Sequence, residues 1–72
     1  MLKEEMRHAG KRNMKWYTVQ LTKEEAQSIR ERLYNTMYIY DFTEYGKDIL
    51  LRVFCAEDTA RALNKALFNY DG

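Results

Sequence analysis

The residues of segment 16–21 alternate between an apolar side and a mixed side. One side of this segment is apolar and the other is mixed: Tyr17, Val19 and Leu21 face one way, and Trp16, Thr18 and Gln20 face the other. A period of two residues is typical of a strand with one buried face. We therefore predict the first strand of the domain here.

The segment that follows has helical spacing. Thr22 and Glu25 fit a capping box, in which the threonine hydroxyl accepts a hydrogen bond from a backbone N–H of the first turn and the glutamate accepts one from the cap residue. The apolar stripe behind the cap has the spacing of one helical face and consists of Ala26, Ile29 and Leu33. The pattern predicts a helix that ends at about Asn35.

Two segments rich in aliphatic and aromatic residues lie on either side of Gly46, at residues 36–43 and 48–55. Their composition is typical of strands, and their separation predicts a β-hairpin. Glycine is favoured at the first central position of a type II′ turn, because that position needs a positive φ. We therefore predict that Gly46 and Lys47 are the central pair of such a turn.

The register of this hairpin decides which face is buried, because a slip of one residue exchanges the two faces. A loop of odd length would bury Asp41 and would oppose Glu44 to Asp48, two carboxylates. We therefore choose the even register, in which Asp41 faces Arg52. It directs six residues inward, Tyr38, Tyr40, Phe42, Ile49, Leu51 and Val53, and six outward, Met37, Ile39, Asp41, Leu50, Arg52 and Phe54.

The last pattern is a second amphipathic helix that begins near Ala56. Glu57 and Asp58 fall in its first turn, where the helix dipole favours acidic side chains. Its apolar stripe has 3-4-3 spacing and consists of Ala60, Leu63, Leu67 and Tyr70. We predict a helix that continues to about Tyr70.

The predicted order is strand, helix, strand, strand, helix. Two helices with one apolar stripe each and three strands with one apolar face predict a two-layer α+β sandwich with both helices on one face of the sheet. A right-handed crossover that leaves room for the third strand gives a three-stranded antiparallel sheet of order 1-3-2. This is a ferredoxin-like arrangement that lacks its last strand.

Residues 1–14 are less regular than the rest. Up to Lys15 the chain has five bases and two acids, whereas the remainder has seven bases and nine acids. Leu2, Met6 and Ala9 form only a weak helical stripe. We expect a basic leader over residues 1–14 that is disordered or a short helix and gives no residue to the core, followed by one α+β domain over residues 15–72.

The composition excludes several classes of protein. The chain has 72 residues, no proline, three glycines and one cysteine, so collagen-like and disulfide-bonded frameworks are excluded. No apolar run approaches the roughly 18 residues of a membrane span. The first residues mix acids and bases and show no secretory signal, so the cytoplasm is the expected location.

Candidate chemistry is sparse. Cys55 precedes a helix, but strand parity places it on the buried face, where it is a small apolar residue. One cysteine and one histidine do not make a zinc site. The paired acids fall in the first turns of helices, where capping and the dipole account for them. We expect no catalytic residue, no metal and no cofactor.

The outer face of the sheet is the candidate partner surface, because it is more apolar than a solvated face. Its residues are Trp16, Met37, Ile39, Leu50, Arg52 and Phe54. The outer edge of the first strand is also unpaired in the predicted sheet, so a second copy or another protein could add a strand there. We expect a homodimer or a protein partner, and no membrane.

These observations predict a non-enzymatic protein-interaction module. Small compact chains of this sort are frequent among phage and mobile-element inhibitors of host proteins, including anti-CRISPR-like inhibitors of nucleic-acid-guided defence. The alternative is a small RNA- or DNA-binding regulator that stacks bases on the aromatic residues of the sheet. Its candidate phosphate contacts are Lys11, Arg12 and Lys15.

Overall fold

The computed structural model describes residues 1–5 and 14–69. The α+β class is confirmed, with two helices and an antiparallel sheet. The elements are β1 (Lys3–Glu4), β2 (Met14–Leu21), α1 (Lys23–Leu33), β3 (Ile39–Tyr45), β4 (Asp48–Ala56) and α2 (Glu57–Phe68).

The described part of the sheet has four strands in the order β1-β2-β4-β3, and each strand is antiparallel to its neighbours. The three predicted strands keep their relative order, but the prediction of a three-stranded sheet is wrong. Lys3 pairs with Thr18 and Glu4 with Tyr17, which adds β1 to the outer edge of β2. The Glu5 N–H continues this pairing by donating to the carbonyl of Trp16 at 2.9 Å.

Residues 1–5 therefore belong to the fold. Leu2 is only 3% exposed and packs in the core, so the expectation that the leader gives no core residue is wrong. The strand β1 replaces the predicted disorder or short helix over Lys3 and Glu4. The rest of the predicted helical stripe, Met6 and Ala9, lies outside the described residues.

The core lies between the sheet and the two helices. Its strand residues alternate along β2 and β4, and its helix residues come from the predicted stripes; with Leu2 they are Tyr17, Leu21, Ala26, Ile29, Leu33, Leu51, Val53, Cys55, Ala60 and Leu63. Because all these side chains meet in one layer, both helices cover the same face of the sheet. Neither described helix covers the opposite face, which we call the open face.

The hairpin register is confirmed. Asp41 pairs with Arg52 and Phe42 pairs with Leu51, as the even register requires. Gly46 has a φ of +62°, the conformation that glycine adopts without a steric penalty at the first central position of a type II′ turn.

The first helix begins as predicted and ends earlier. The Thr22 hydroxyl accepts from the Glu25 N–H at 3.1 Å, and the Glu25 carboxylate accepts from the Thr22 N–H at 2.8 Å. At the other end, Thr36 donates to the Leu33 carbonyl from its N–H at 3.1 Å and from its hydroxyl at 2.8 Å. This bond pair closes α1 at Leu33, two residues before the predicted stop.

The bonds between Thr36 and Leu33 also move the start of the next strand towards the C-terminus. Because Thr36 is bonded to the end of α1, residues 36–38 lie outside any strand and β3 begins at Ile39. Tyr38, which was predicted to point into the core, is 39% exposed for this reason. The second helix ends at Phe68, where Asn69 adopts a left-handed conformation with a φ of 53°, and its N–H donates to the Asn64 carbonyl.

Candidate protein-interaction surface

An apolar row crosses the open face. Ile39 of β3, Phe54 of β4 and Trp16 of β2 are direct cross-strand neighbours. The Trp16 and Phe54 rings have centroids 5.1 Å apart and are tilted by 46°. Both are half-buried, whereas Ile39 is 57% exposed. The row therefore becomes more accessible towards the β3 side of the sheet.

Arg52 covers the Trp16 end of this row. Its guanidinium carbon lies 4.3 Å from the centroid of the Trp16 ring, a cation–π contact. Its Nε donates to the Glu5 carboxylate at 2.8 Å, and Asp41 lies 3.8 Å from its Nη1. The hydrogen bond to Glu5 raises the pKa of the guanidinium above its ordinary value. The network leaves Trp16 less available to a partner than the sequence suggests.

Leu50 is also half-buried on the open face. It lies between Gln20 of β2 and Thr43 of β3 in the sheet register. The Gln20 amide donates to the Asp48 carboxylate at 2.7 Å beside it. Polar side chains therefore border Leu50 on the open face.

The most exposed apolar side chains lie elsewhere, around β3 and the loop before it. Of the six large apolar residues that are exposed in the described ranges, five fall between residues 34 and 45. We call these five the β3 margin: Tyr34, Met37, Tyr38, Ile39 and Tyr45. Met37 is 97% exposed and Tyr34 is 75% exposed. Met37 and Ile39 of the predicted surface are thus exposed along the same stretch of chain as three tyrosines that the sequence did not single out.

The sequence contains only weak indications that these three tyrosines are exposed. Tyr34 follows the last residue of the buried stripe of α1, so its phase already pointed away from the core. Tyr45 is adjacent to the turn glycine at the end of the hairpin. Tyr38 was assigned to the core because the strand was expected to begin at residue 36. A later start of β3 removes that assignment.

The described residues give the open face a mixed charge, with three acids and two bases. Strand parity places Lys3 and Arg52 on this face together with Glu5, Asp41 and Asp48. Lys15 lies on the opposite side of β2, 3.5 Å from the Glu4 carboxylate. The other candidate phosphate contacts, Lys11 and Arg12, lie outside the described residues.

The edge of β2 that was predicted to be open is partly occupied. Among the described residues, β1 pairs with Thr18 and Tyr17, and Glu5 bonds to Trp16. The edge strands of the described sheet are therefore β1, with two residues, and β3, with seven, so the long free edge is on β3.

Cys55 is 3% exposed, and burial raises the pKa of its thiol. A raised pKa disfavours the thiolate that a nucleophile or metal ligand needs. The described residues contain no group of three histidine, cysteine or acidic side chains that could hold a metal ion. Neither described helix has the length and apolar character to span a bilayer.

Comparison with protein-family models, with curated proteins and with solved structures finds no match for this chain. Its function is therefore inferred from the chemistry of its own surface.

Proposed function

We propose that the protein is a non-enzymatic interaction module that binds another protein molecule through the β3 margin, by adding a strand to the free edge of β3. One observation carries the proposal: five of the six exposed large apolar residues in the described ranges lie on β3 or shortly before it, four up to its first residue and Tyr45 at its last. Exposed apolar patches are typical of interfaces. A terminal strand beside such a patch supplies backbone groups for strand addition.

The charges favour a protein partner over a nucleic acid. Among the residues that the structure describes on the open face, Glu5, Asp41 and Asp48 outnumber Lys3 and Arg52. Arg52 is also bonded to Glu5. A protein surface that binds nucleic acid gains most of its affinity from lysine and arginine side chains that are free to neutralise phosphates. An acidic face with an apolar margin fits an extended protein segment better.

Affinity capture from cells of the source, with and without nuclease, tests this function. The variant Met37→Ser/Ile39→Ser removes two apolar residues of the margin without touching the core. Gln27→Ser, an exposed change on α1, is the matched control. We expect a captured protein that survives nuclease, is lost with the double variant and is retained with the control.

Two results would contradict the proposal. Capture that is unaffected by the double variant would place the binding surface elsewhere. Capture that disappears with nuclease would favour the alternative function, RNA or DNA binding. The expected location in the cytoplasm and the expected inhibitory role against a host protein both depend on the identity of the captured partner.

A further inference from the structure

We infer that the segment added to β3 is the β3 strand of a second copy of this chain, paired antiparallel with the two Phe42 residues on the two-fold axis. This inference rests on the proposed function and names the partner of the same edge. The inference depends on the register in which the free edges of two β3 strands can pair.

The hairpin turn sets the direction of the backbone groups of β3. The two-residue turn makes Tyr45 and Asp48 the hydrogen-bonded pair that closes the hairpin. Hydrogen-bonded and non-hydrogen-bonded pairs alternate along an antiparallel ladder. The N–H and C=O groups that point away from β4 therefore belong to Tyr40, Phe42 and Glu44.

The outward groups limit the register in which β3 of one copy can pair with β3 of the second copy. Self-pairing through these outward groups can be centred on any residue from Tyr40 to Glu44. Centring on Asp41 or Glu44 would set two identical carboxylates opposite each other, which is destabilising. Centring on Tyr40 or Thr43 would leave outward groups of β3 without a partner. Only the register centred on Phe42 pairs all three outward residues, with Phe42 opposite Phe42 and Tyr40 opposite Glu44.

The side chains fit this register as well. It sets Ile39 opposite Tyr45 of the second copy, and these two residues are the exposed apolar side chains of β3, at 57% and 56%. It sets Asp41 opposite Thr43, and Glu44 opposite the Tyr40 phenol, which can donate to a carboxylate. No like charges face each other, and each of these three pairs occurs twice because of the two-fold symmetry.

The resulting sheet has eight strands. A two-fold axis perpendicular to the sheet keeps all four helices on one side and joins the two open faces on the other. The dimer thereby covers the free edge of β3, which is a hazard for uncontrolled pairing when it is exposed.

Position 43 gives a direct test, because Thr43 is exposed and faces Asp41 of the second copy only in this register. Light scattering coupled to size exclusion and a dilution series measure the mass and the dissociation constant. We expect the wild type at twice 8.7 kDa. Position 43 faces Asp41 in two symmetric cross-strand pairs. We therefore expect Thr43→Asp, which opposes like charges, to weaken the dimer about tenfold, and Thr43→Lys, which opposes unlike charges, to tighten it.

A rescue experiment tests the second pair. Ile39→Lys/Tyr45→Lys sets like charges opposite each other and should give a monomer, whereas Ile39→Lys/Tyr45→Glu sets opposite charges together and should restore the dimer. Circular dichroism at low concentration checks that all variants fold.

A wild-type chain that remains at 8.7 kDa at millimolar concentration overturns the inference. A dimer that is indifferent to the charge at position 43 overturns it as well. In either case the capture experiment with Met37→Ser/Ile39→Ser decides separately whether another protein uses the β3 margin, so failure of the dimer and failure of the proposed function are distinguishable.

Discussion

Asn64 of α2 binds both backbone groups of Leu2. The Leu2 N–H donates to the Asn64 Oδ1 at 2.6 Å, and the Asn64 Nδ2 donates to the Leu2 carbonyl at 3.2 Å. Asn64 is 8% exposed and is the one polar residue that is buried in the described ranges. Its side-chain amide satisfies the backbone of a residue 62 positions away, as a neighbouring strand would.

Loss of this amide should destabilise the fold. Asn64→Ala leaves the buried N–H and C=O of Leu2 without partners, and we expect a loss of about 1–3 kcal/mol in the free energy of unfolding. Leu2→Ala should cost about 2–5 kcal/mol, because it removes a buried side chain. Urea titration measures both, and Lys65→Ala, an exposed change on the same helix, should have little effect. Wild-type stability in Asn64→Ala would mean that residues 1–5 do not contribute to folding.

The capping box of α1 gives a second prediction. Thr22→Ala should lower the free energy of unfolding by about 1 kcal/mol, because the Glu25 N–H loses its acceptor. Glu25→Ala should act on the reciprocal bond, and the double variant should lose less than the sum of the two changes. Thermal unfolding of the four proteins closes the cycle. Additive losses would contradict a coupled pair of bonds.

The contact between Arg52 and Trp16 can be followed by fluorescence, because Trp16 is the only tryptophan. Arg52→Gln removes the guanidinium from the indole face and the bond to Glu5, so we expect emission to shift to longer wavelength and stability to fall by about 1 kcal/mol. Arg61→Gln is the matched control, because the Arg61 side chain is 72% exposed and its ion pairs with Glu57 and Asp58 lie within α2. Equal shifts in the two variants would show that the cation–π contact does not form in solution.

The buried thiol of Cys55 should make the stability of the fold depend on pH. Burial raises the pKa of its thiol, so above the ordinary thiol value of about 8.5 the unfolded chain loses its proton while the folded chain keeps it. The unfolded state is then favoured, and stability should fall as pH rises through this window. Urea midpoints between pH 8 and 9.5 measure the slope, and Cys55→Ala should flatten it. A slope that is the same in both proteins would assign it to other groups.

Local chemistry made much of this fold predictable. The capping box of Thr22 and the turn at Gly46 each depend on residues within four positions, and both are present as expected. The register of β3 and β4 followed from the parity of that turn. These features could be read from the sequence because their partners are close along the chain.

The role of residues 1–5 could not be read in the same way. Leu2 is one apolar residue among charged ones, and its partner Asn64 is far away in sequence. The same holds for the open face, where Glu5 orients Arg52 over Trp16 from 47 positions away. Without that contact the sequence suggested a fully accessible tryptophan, and it placed the exposed surface at Trp16 rather than at the β3 margin.

The bridge between Leu2 and Asn64 also sets an order of events during protein synthesis. Leu2 is made 62 residues before its partner, and Asn64 must itself leave the ribosome before the two can bind. Until then β1 is attached to β2 by backbone pairing alone, because the Asn64 side chain that joins Leu2 to α2 is not yet in place. A chaperone or a neighbouring nascent chain therefore meets a sheet edge that lacks this side-chain bridge.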